Sequence, residues 1–167
     1  MSNKTALFAI YSKPDETLYR ELRTHLAPLR RQGVIELTEN LAGETPKESL
    51  HKHDVLLLLI SGSLLDDDNR YDLVEEALRL RGQGKRVVPV LLRPTVLKGL
   101  TLEQLVAVPR NGNPITEWVS RDAGWVEVVQ EIHKFLAGPA NAPPGVALEE
   151  IVHVPNQQPV AGSKKTL

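Results

Sequence analysis

The sequence has no cysteine in its 167 residues. This absence excludes disulfide bonds, thiolate metal sites and a cysteine nucleophile, and it is typical of proteins in a reducing compartment. The sequence also lacks an apolar run of the ~18 residues that a membrane span requires, and its first apolar run is too short for a signal peptide. We therefore predict a cytoplasmic protein that has no membrane as a partner.

An excess of charge of one sign is also missing, because 20 basic and 21 acidic residues give a formal net charge of −1. No global field then attracts the protein to nucleic acid, and we do not predict nucleic acid as a partner. A glycine-rich phosphate loop is absent too, since RGQGK follows a predicted helix and is typical of a helix C-terminus. Any partner must therefore be recognised by local features.

The sequence does contain apolar strand patterns that alternate with amphipathic helix patterns. The run DVLLLLIS is apolar on both sides of the pleat, which indicates a central parallel strand covered by helices on both faces. This alternation predicts a doubly wound, flavodoxin-like α/β fold with five parallel strands in the order 2-1-3-4-5. The predicted strands are, in chain order, ALFAIYS, VIEL, DVLLLLIS, RVVPVLL and PITEW.

The predicted helices follow from apolar residues at helical spacing and from capping residues. Ser12 is expected to cap the first helix, with Pro14 in its first turn and Asp15 at a box-like S-x-x-D spacing. Pro89 counts against a fully paired position and places the fourth strand near a sheet edge or a bulge. The predicted helices span residues 15–31, 71–80, 102–106 and 122–136, and the last one buries Trp125.

The composition changes after residue 137. Residues 138–167 contain repeated prolines and have neither helical nor strand periodicity. We expect one domain over residues 1–137, followed by a linker or tail over 138–167 that leads to a further domain.

Polar residues follow the first and third predicted strands, which are neighbours in the predicted sheet. Ligands of doubly wound sheets bind at the carboxyl ends of the strands, where the strand order reverses. The side chains of Tyr11, Ser12, Ser61 and Ser63 are therefore candidates for binding a nucleotide. The alternative for Ser61 and Ser63 is that these small residues only close the turn.

Three aspartates, Asp66 to Asp68, follow the third strand. Adjacent carboxylates in a turn usually solvate the loop and begin a helix, so we predict no metal site here. His51 and His53 have no third ligand at metal-binding spacing and are expected at a helix start. A phospho-receiver domain has the same sheet order, but it needs an acidic cluster after the first strand and an aspartate at the end of the third. This chain has Ser12-Lys13 and Ser61 at those positions, so a phospho-receiver domain is excluded.

Five blocks follow one another along residues 6–137: FAIYS, LRTHLAPLRRQGVIEL, HDVLLLLIS, RVVPVLLRP, and LVAVPRNGNPITEW before RDAGW. In these blocks and in their order, the chain resembles a bacterial Toll/interleukin-1 receptor (TIR) domain. The resemblance implies the same five-stranded sheet, and either homotypic association or cleavage of NAD between nicotinamide and ribose. Two features depart from the family: Ile10 replaces the leading serine of the first block, and the loop TENLAGET is short.

In family members that cleave NAD, a glutamate follows a serine, an aromatic residue and a cysteine on the helix after the third strand. Counting forward from Ser61 puts that glutamate at Leu73, and counting backward from Ala77-Leu78 puts it at Asp72; the cysteine becomes Arg70 or Asn69. Asp72 and the nearby Glu75 are therefore the catalytic candidates that the resemblance implies. The alternative for Glu75 is a solvated helix face and an ion pair with Arg79.

Because the motif lacks its glutamate, we expect a TIR-like signalling or defence module of a larger bacterial protein. It would be catalytically degenerate, without a cofactor, and would act by homotypic association. The alternative is an NAD nucleosidase that cleaves NAD to nicotinamide and an ADP-ribose product on self-assembly.

Overall fold

A computed structural model describes residues 4–39 and 47–137 of the chain. The described residues form an α/β fold with four parallel strands in the order β2-β1-β3-β4. The strands are β1 (Thr5–Ile10), β2 (Ile35–Glu39), β3 (Val55–Ile60) and β4 (Arg86–Leu91). The helices are α1 (Glu16–His25), α2 (Ala27–Arg31), α3 (Glu48–His51), α4 (Gly62–Asp66), α5 (Asp68–Arg81) and α6 (Arg121–Ala137).

The strand β3 lies at the centre of this sheet, as its apolar sequence predicts. It pairs with β1 from Leu7↔Val55 to Ile10↔Leu58, and with β4 from Val55↔Arg86 to Ile60↔Leu91. All six of its side chains are buried. Because neighbouring residues of a strand point to opposite faces, such complete burial requires helices on both sides of the sheet.

Two apolar layers provide this cover. On one face, Leu57 of β3 belongs to a cluster with Tyr19 of α1 and Trp125 of α6. On the other face, Leu58 belongs to a cluster with Leu64 of α4 and Val74 of α5. The predicted doubly wound arrangement, with helices on both faces, is therefore confirmed for the described residues.

The edge position predicted from Pro89 is also confirmed, since β4 is the outer strand of the described sheet. The Pro89 carbonyl accepts a hydrogen bond from the Val108 N–H (3.0 Å), and the Leu91 N–H donates to the Val108 carbonyl (2.8 Å). The N and O of one strand residue point to the same side. The N–H that proline lacks would therefore face Val108 and not β3, so the pairing of β4 with β3 loses no hydrogen bond.

The fifth strand predicted at PITEW is wrong. Ile115–Glu117 forms a turn of 3₁₀-helix, preceded by Pro114. Ile115 is fully buried, and the Trp118 indole N–H donates to the carbonyl of Asn113 (2.8 Å), which holds the turn closed. Within residues 4–39 and 47–137, the sheet is continued beyond β4 by one parallel bridge, between Val90 and Val108.

Helix boundaries differ from the predictions where proline or a cap intervenes. The helix predicted over 15–31 is divided at Leu26 into α1 and α2, because Pro28 has no N–H and cannot extend the α1 ladder. The short helix α4 was not predicted, and the helix predicted over 102–106 is instead a 3₁₀-helix over Thr101–Gln104. The helices predicted over 71–80 and 122–136 lie within α5 and α6, and the predicted tail, 138–167, lies outside the described residues.

The helix α6 is fixed against α1 by a buried aromatic ring and a carboxylate. Trp125 is fully buried, as predicted, and its indole N–H donates to Glu21 (2.8 Å), which also accepts two hydrogen bonds from Arg121. Burial acts to raise the pKa of Glu21, but the hydrogen bonds from Arg121 and Trp125 outweigh it, and the pKa is lowered.

No helix in the described part of the chain is both long and apolar enough to cross a membrane.

The burial of β3 gives a direct test of the sheet. Leu57→Asp should prevent cooperative folding, because an unpaired carboxylate at a fully buried position costs on the order of 4 kcal/mol or more. Thr38→Asp, at an exposed position of β2, is the matched control and should cost less than about 1 kcal/mol. Thermal unfolding followed by circular dichroism compares the two variants, and a cooperative transition in Leu57→Asp near that of the parent would contradict the assignment.

Candidate functional site

A buried carboxylate lies at the carboxyl ends of three strands. Asp15, which is fully buried, follows β1 at the end of a 3₁₀ turn, Lys13–Asp15. Its carboxylate accepts hydrogen bonds from the Ser12 hydroxyl (2.9 Å), from the Ser61 hydroxyl and from Arg93 Nε (2.8 Å). Ser12 follows β1, Ser61 follows β3 and Arg93 follows β4, so one side chain joins the ends of all three. We call these four residues the Asp15 cluster.

The local sequence explains why Asp15 turns inward. Pro14 favours the tight turn that leaves β1, and the Asp15 N–H donates to the Ser12 carbonyl (2.9 Å). The Ser12 side chain makes no capping bond to the helix backbone. The predicted capping role of Ser12 is therefore wrong, because its hydroxyl donates to the buried Asp15 carboxylate instead.

Ser61 has two roles at the end of β3. Its hydroxyl donates to Asp15, and the same oxygen accepts a hydrogen bond from the Leu64 N–H (3.1 Å), which caps the start of α4. Ser61 is fully buried. The small side chain therefore closes the turn after β3 and secures it to the turn after β1.

A second link joins α5 to the end of β1. Arg70 is buried, and its Nε donates to the carbonyl of Tyr11 (3.1 Å). Asp67 sets the start of α5 by accepting a hydrogen bond from the Arg70 N–H (3.1 Å). The Tyr11 ring stacks on Tyr19 of α1, with ring centroids 4.5 Å apart. The side of α5 that faces the strand ends is thus occupied by a guanidinium group.

The structure brings Tyr11, Ser12 and Ser61 together at the strand ends, as predicted for residues of the switch point. All three are buried, and both serine hydroxyls already donate to Asp15. Ser63 is half-buried within α4. A nucleotide that uses the serine hydroxyls must therefore displace the Asp15 carboxylate, and nucleotide binding here stays a prediction.

The two catalytic candidates, Asp72 and Glu75, are exposed on α5. At about 100° per residue, Asp72 lies about 200° and Glu75 about 140° around the helix from Arg70, which contacts the strand ends. The position found by counting forward from Ser61, Leu73, is buried in the apolar cluster with Val74. The described residues of α5 therefore direct no carboxylate to the same side as Arg70.

The predicted ion pair of Glu75 with Arg79 is wrong, because the partner of Arg79 is Glu76. Arg79 makes two hydrogen bonds to the Glu76 carboxylate (3.0 and 2.5 Å), which also contacts His51 Nε2 (3.0 Å). The Glu76 side chain is only 12% exposed. The hydrogen bond from Arg79, followed by that from His51, lowers the pKa of Glu76 to about 2. Glu76 thus joins α3 to α5.

The three aspartates before α5 differ in their surroundings. Asp67 caps the helix, while Asp66 and Asp68 are exposed. Residues 4–39 and 47–137 bring together no group of three or more histidine, aspartate or glutamate side chains that suits a metal ion. The helix-start interpretation of this segment accounts for the observed cap.

Sequence reasoning missed three members of this arrangement: the buried Asp15, its partner Arg93, and Arg70. The spacing S-x-x-D was interpreted as a helix cap, which hid the carboxylate. The rule that ligands of such sheets bind at the carboxyl ends of the strands applies equally to Arg93, which lies two residues after the end of β4. That rule could have found Arg93, whereas no sequence signal indicated the inward turn of Asp15.

No family model matches the chain. The chain is similar to the uncharacterised protein y4lF of Sinorhizobium fredii (strain NBRC 101917 / NGR234), with 32% identity over 154 residues. The match covers 85% of this chain and 48% of that protein, so the chain spans about half the length of the relative. The name of the relative states no activity.

The Asp15 cluster predicts a large effect of a small substitution. Asp15→Asn keeps the size of the side chain but removes the negative charge that accepts three hydrogen bonds, and should destabilise the protein by on the order of 2–3 kcal/mol. Asp66→Asn, at an exposed position, is the control and should change stability by less than about 0.5 kcal/mol. Urea unfolding measures both, and equal stabilities of the two variants would contradict the structural role of Asp15.

The low pKa of Glu76 predicts a pH dependence. Its folded-state pKa, about 2, lies below the ordinary value of 4.5, so the stabilisation is complete above pH 4.5 and is lost as the pH falls toward 2. Glu76→Gln should therefore lower the melting temperature above pH 5, and the difference from the parent should shrink between pH 4.5 and 2. Glu75→Gln, at an exposed position, should show no such trend. A difference that stays constant down to pH 2 would contradict the assignment.

Proposed function

We propose that the chain is a TIR-like interaction module that does not cleave NAD and that acts by homotypic association within a larger bacterial protein of the cytoplasm. The observation that carries the proposal is that the carboxylate at the strand ends, Asp15, is buried and fully hydrogen-bonded within the protein. Asp15 is fully buried and accepts hydrogen bonds from two hydroxyls and a guanidinium group. A carboxylate so enclosed serves to hold the loops together and is not accessible to a substrate.

The topology supports the finer assignment to a flavodoxin-like fold. The described order β2-β1-β3-β4 agrees with the first four positions of the order 2-1-3-4-5. The parallel bridge from Val90 to Val108 lies on the outer side of β4, where a fifth strand of such a sheet would pair. We therefore propose that the segment around Val108 takes the place of the fifth strand.

The geometry of α5 supports the absence of catalysis. Cleavage of a glycosidic bond requires a carboxylate that stabilises the positive charge developing on the ribose. On the side of α5 that faces the strand ends, the chain has the buried Arg70, whose positive charge opposes such stabilisation. Asp72 and Glu75 lie on other sides of the helix and are exposed.

The relative supports the expectation of a larger protein. The region similar to this chain makes up 48% of y4lF, so in that protein the similar region is joined to further sequence of comparable length. We propose that this chain likewise works together with another domain.

One observation favours the alternative function, an NAD nucleosidase that is active on self-assembly. Neither Asp72 nor Glu75 forms an ion pair with another residue of 4–39 or 47–137, so both carboxylates are open to an approaching molecule. If a second copy covered this part of α5, a bound nucleotide would be enclosed beside them. Because Asp72 and Glu75 lie on other sides of α5 from the strand ends of their own copy, the nucleotide would be held by the predicted Tyr11, Ser12, Ser61 and Ser63 of the covering copy.

The test is a measurement of nicotinamide release. We expect the purified 167-residue chain to release no nicotinamide from NAD above the uncatalysed rate, both alone and under conditions that force oligomers to form. The physical reason is that a catalytic carboxylate must be held within roughly 0.5 Å of its working position, and one residue of helix rotates a side chain by about 100°.

The variants Asp72→Ala and Glu75→Ala complete the experiment, with Asp66→Ala as a matched control. If the parent shows turnover, and one of the first two variants loses it while its thermal unfolding is unchanged, the alternative function is established. The proposal of a non-catalytic module would then be rejected, and the variant would identify the catalytic residue.

A further inference from the structure

Although the net charge of the chain is close to zero, its exposed charges are not evenly distributed. On the first two turns of α5, Asp68, Asp72 and Glu75 are exposed at the spacing i, i+4, i+7, which places them on one side of the helix. None of them forms an ion pair within the described residues. We call these three residues the acidic stripe. The one cation in the same two turns, Arg70, is buried and directed to the strand ends.

The helices α1 and α2 carry the opposite charge. Arg20, Arg23 and Arg31 are exposed, and the Arg30 guanidinium donates to the Arg23 carbonyl (3.0 Å), which joins α2 to α1. We call Arg20, Arg23, Arg30 and Arg31 the basic face of these two helices. Among the described residues, the only acidic residue paired with these four arginines is Glu16, which binds Arg20 (2.7 Å). Within the described residues, Arg23 and Arg31 have no ion-pair partner.

The two charged regions cover opposite faces of the sheet. The helix α1 packs on the face that contains Leu57, and α5 packs on the face that contains Leu58. They therefore cannot neutralise each other within one molecule. An isologous dimer would place like charges together at either region, whereas contact between the two different regions of two copies pairs opposite charges.

We infer that the acidic stripe of one copy docks on the basic face of α1 and α2 of the next copy, in a head-to-tail contact. This inference rests on the proposed function, homotypic association, and names the surfaces that carry it. An open array of such contacts keeps one free acidic stripe at one end and one free basic face at the other, so the contact leads to an open filament, or to a closed ring if the two ends meet. Because exposed charges are screened by salt, the association should weaken as the ionic strength rises.

The experiment uses charge reversal on each region of the 167-residue chain. One variant carries Asp72→Lys and Glu75→Lys, and the other carries Arg23→Glu and Arg31→Glu. Asp68 is left unchanged because its charge at the helix N-terminus also stabilises α5. Controls carry Glu117→Lys or Lys98→Glu, which reverse an exposed charge outside both regions. Circular dichroism and thermal unfolding check that every variant is folded, and sedimentation velocity over a concentration series measures association.

We expect the parent and the controls to form oligomers whose population rises with concentration and falls with salt. For each reversed variant alone, the dissociation constant of self-association should be at least about tenfold higher than that of the parent, because like charges now face each other. An equimolar mixture with the parent should shorten the oligomers, since a reversed copy ends the array. A chain that carries all four reversals should associate more strongly than either reversed variant alone, because residues 72 and 75 again face residues 23 and 31 of opposite charge.

Two results overturn the inference in different ways. If the parent associates but both reversed variants associate equally well, the docking surfaces are wrong, while homotypic association stands. If the parent stays monomeric at every concentration and at low salt, the proposed homotypic association fails, and the docking contact fails with it.

Discussion

The arrangement of the molecule depends on one buried carboxylate. Asp15 receives a hydrogen bond from the chain after each of three strands: Ser12 after β1, Ser61 after β3 and Arg93 after β4. The strands are paired by their backbones, but the segments after them lead to helices on opposite faces of the sheet, and side-chain hydrogen bonds to Asp15 join these segments. A charged acceptor that is removed from water makes strong bonds when fully paired and is costly when left unpaired. The Asp15 cluster therefore fixes the loops at the switch point in one conformation.

Much of the fold could be predicted because it depends on hydrophobic pattern. The run over residues 55–60 has no polar position, which required cover on both faces, and Pro89 required an edge. The error at PITEW has a physical cause, since the buried Ile115 is presented by a proline-initiated turn that resembles a short strand in pattern. The leucine spacing alone predicts one helix over 15–31, whereas the missing N–H of Pro28 explains its division into α1 and α2.

The candidate site was less predictable because its chemistry depends on side-chain direction. Ser12 and Ser61 were found from their positions after strands, but whether they face a ligand or a buried carboxylate is decided by the inward turn of Asp15. Likewise, Asp72 and Glu75 were candidates by count along the chain, and the register of α5, set by the Asp67 cap, turns Arg70 to the strand ends. In the proposed head-to-tail contact, the same two exposed carboxylates belong to the acidic stripe that docks on the basic face of the next copy.

The measurement that tests this account most directly is a double-mutant cycle between Asp15 and Arg93, followed by urea unfolding. The variants are Asp15→Asn, Arg93→Gln and the two combined, with Lys98→Gln in place of Arg93→Gln as the control cycle. The account predicts that Arg93→Gln alone is strongly destabilising, because it leaves a buried charge with two hydroxyls only, and that the combined variant costs at least about 1 kcal/mol less than the sum of its parts. Additive effects in the Arg93 cycle, equal to those in the Lys98 cycle, would contradict the claim that Asp15 holds the three strand ends together.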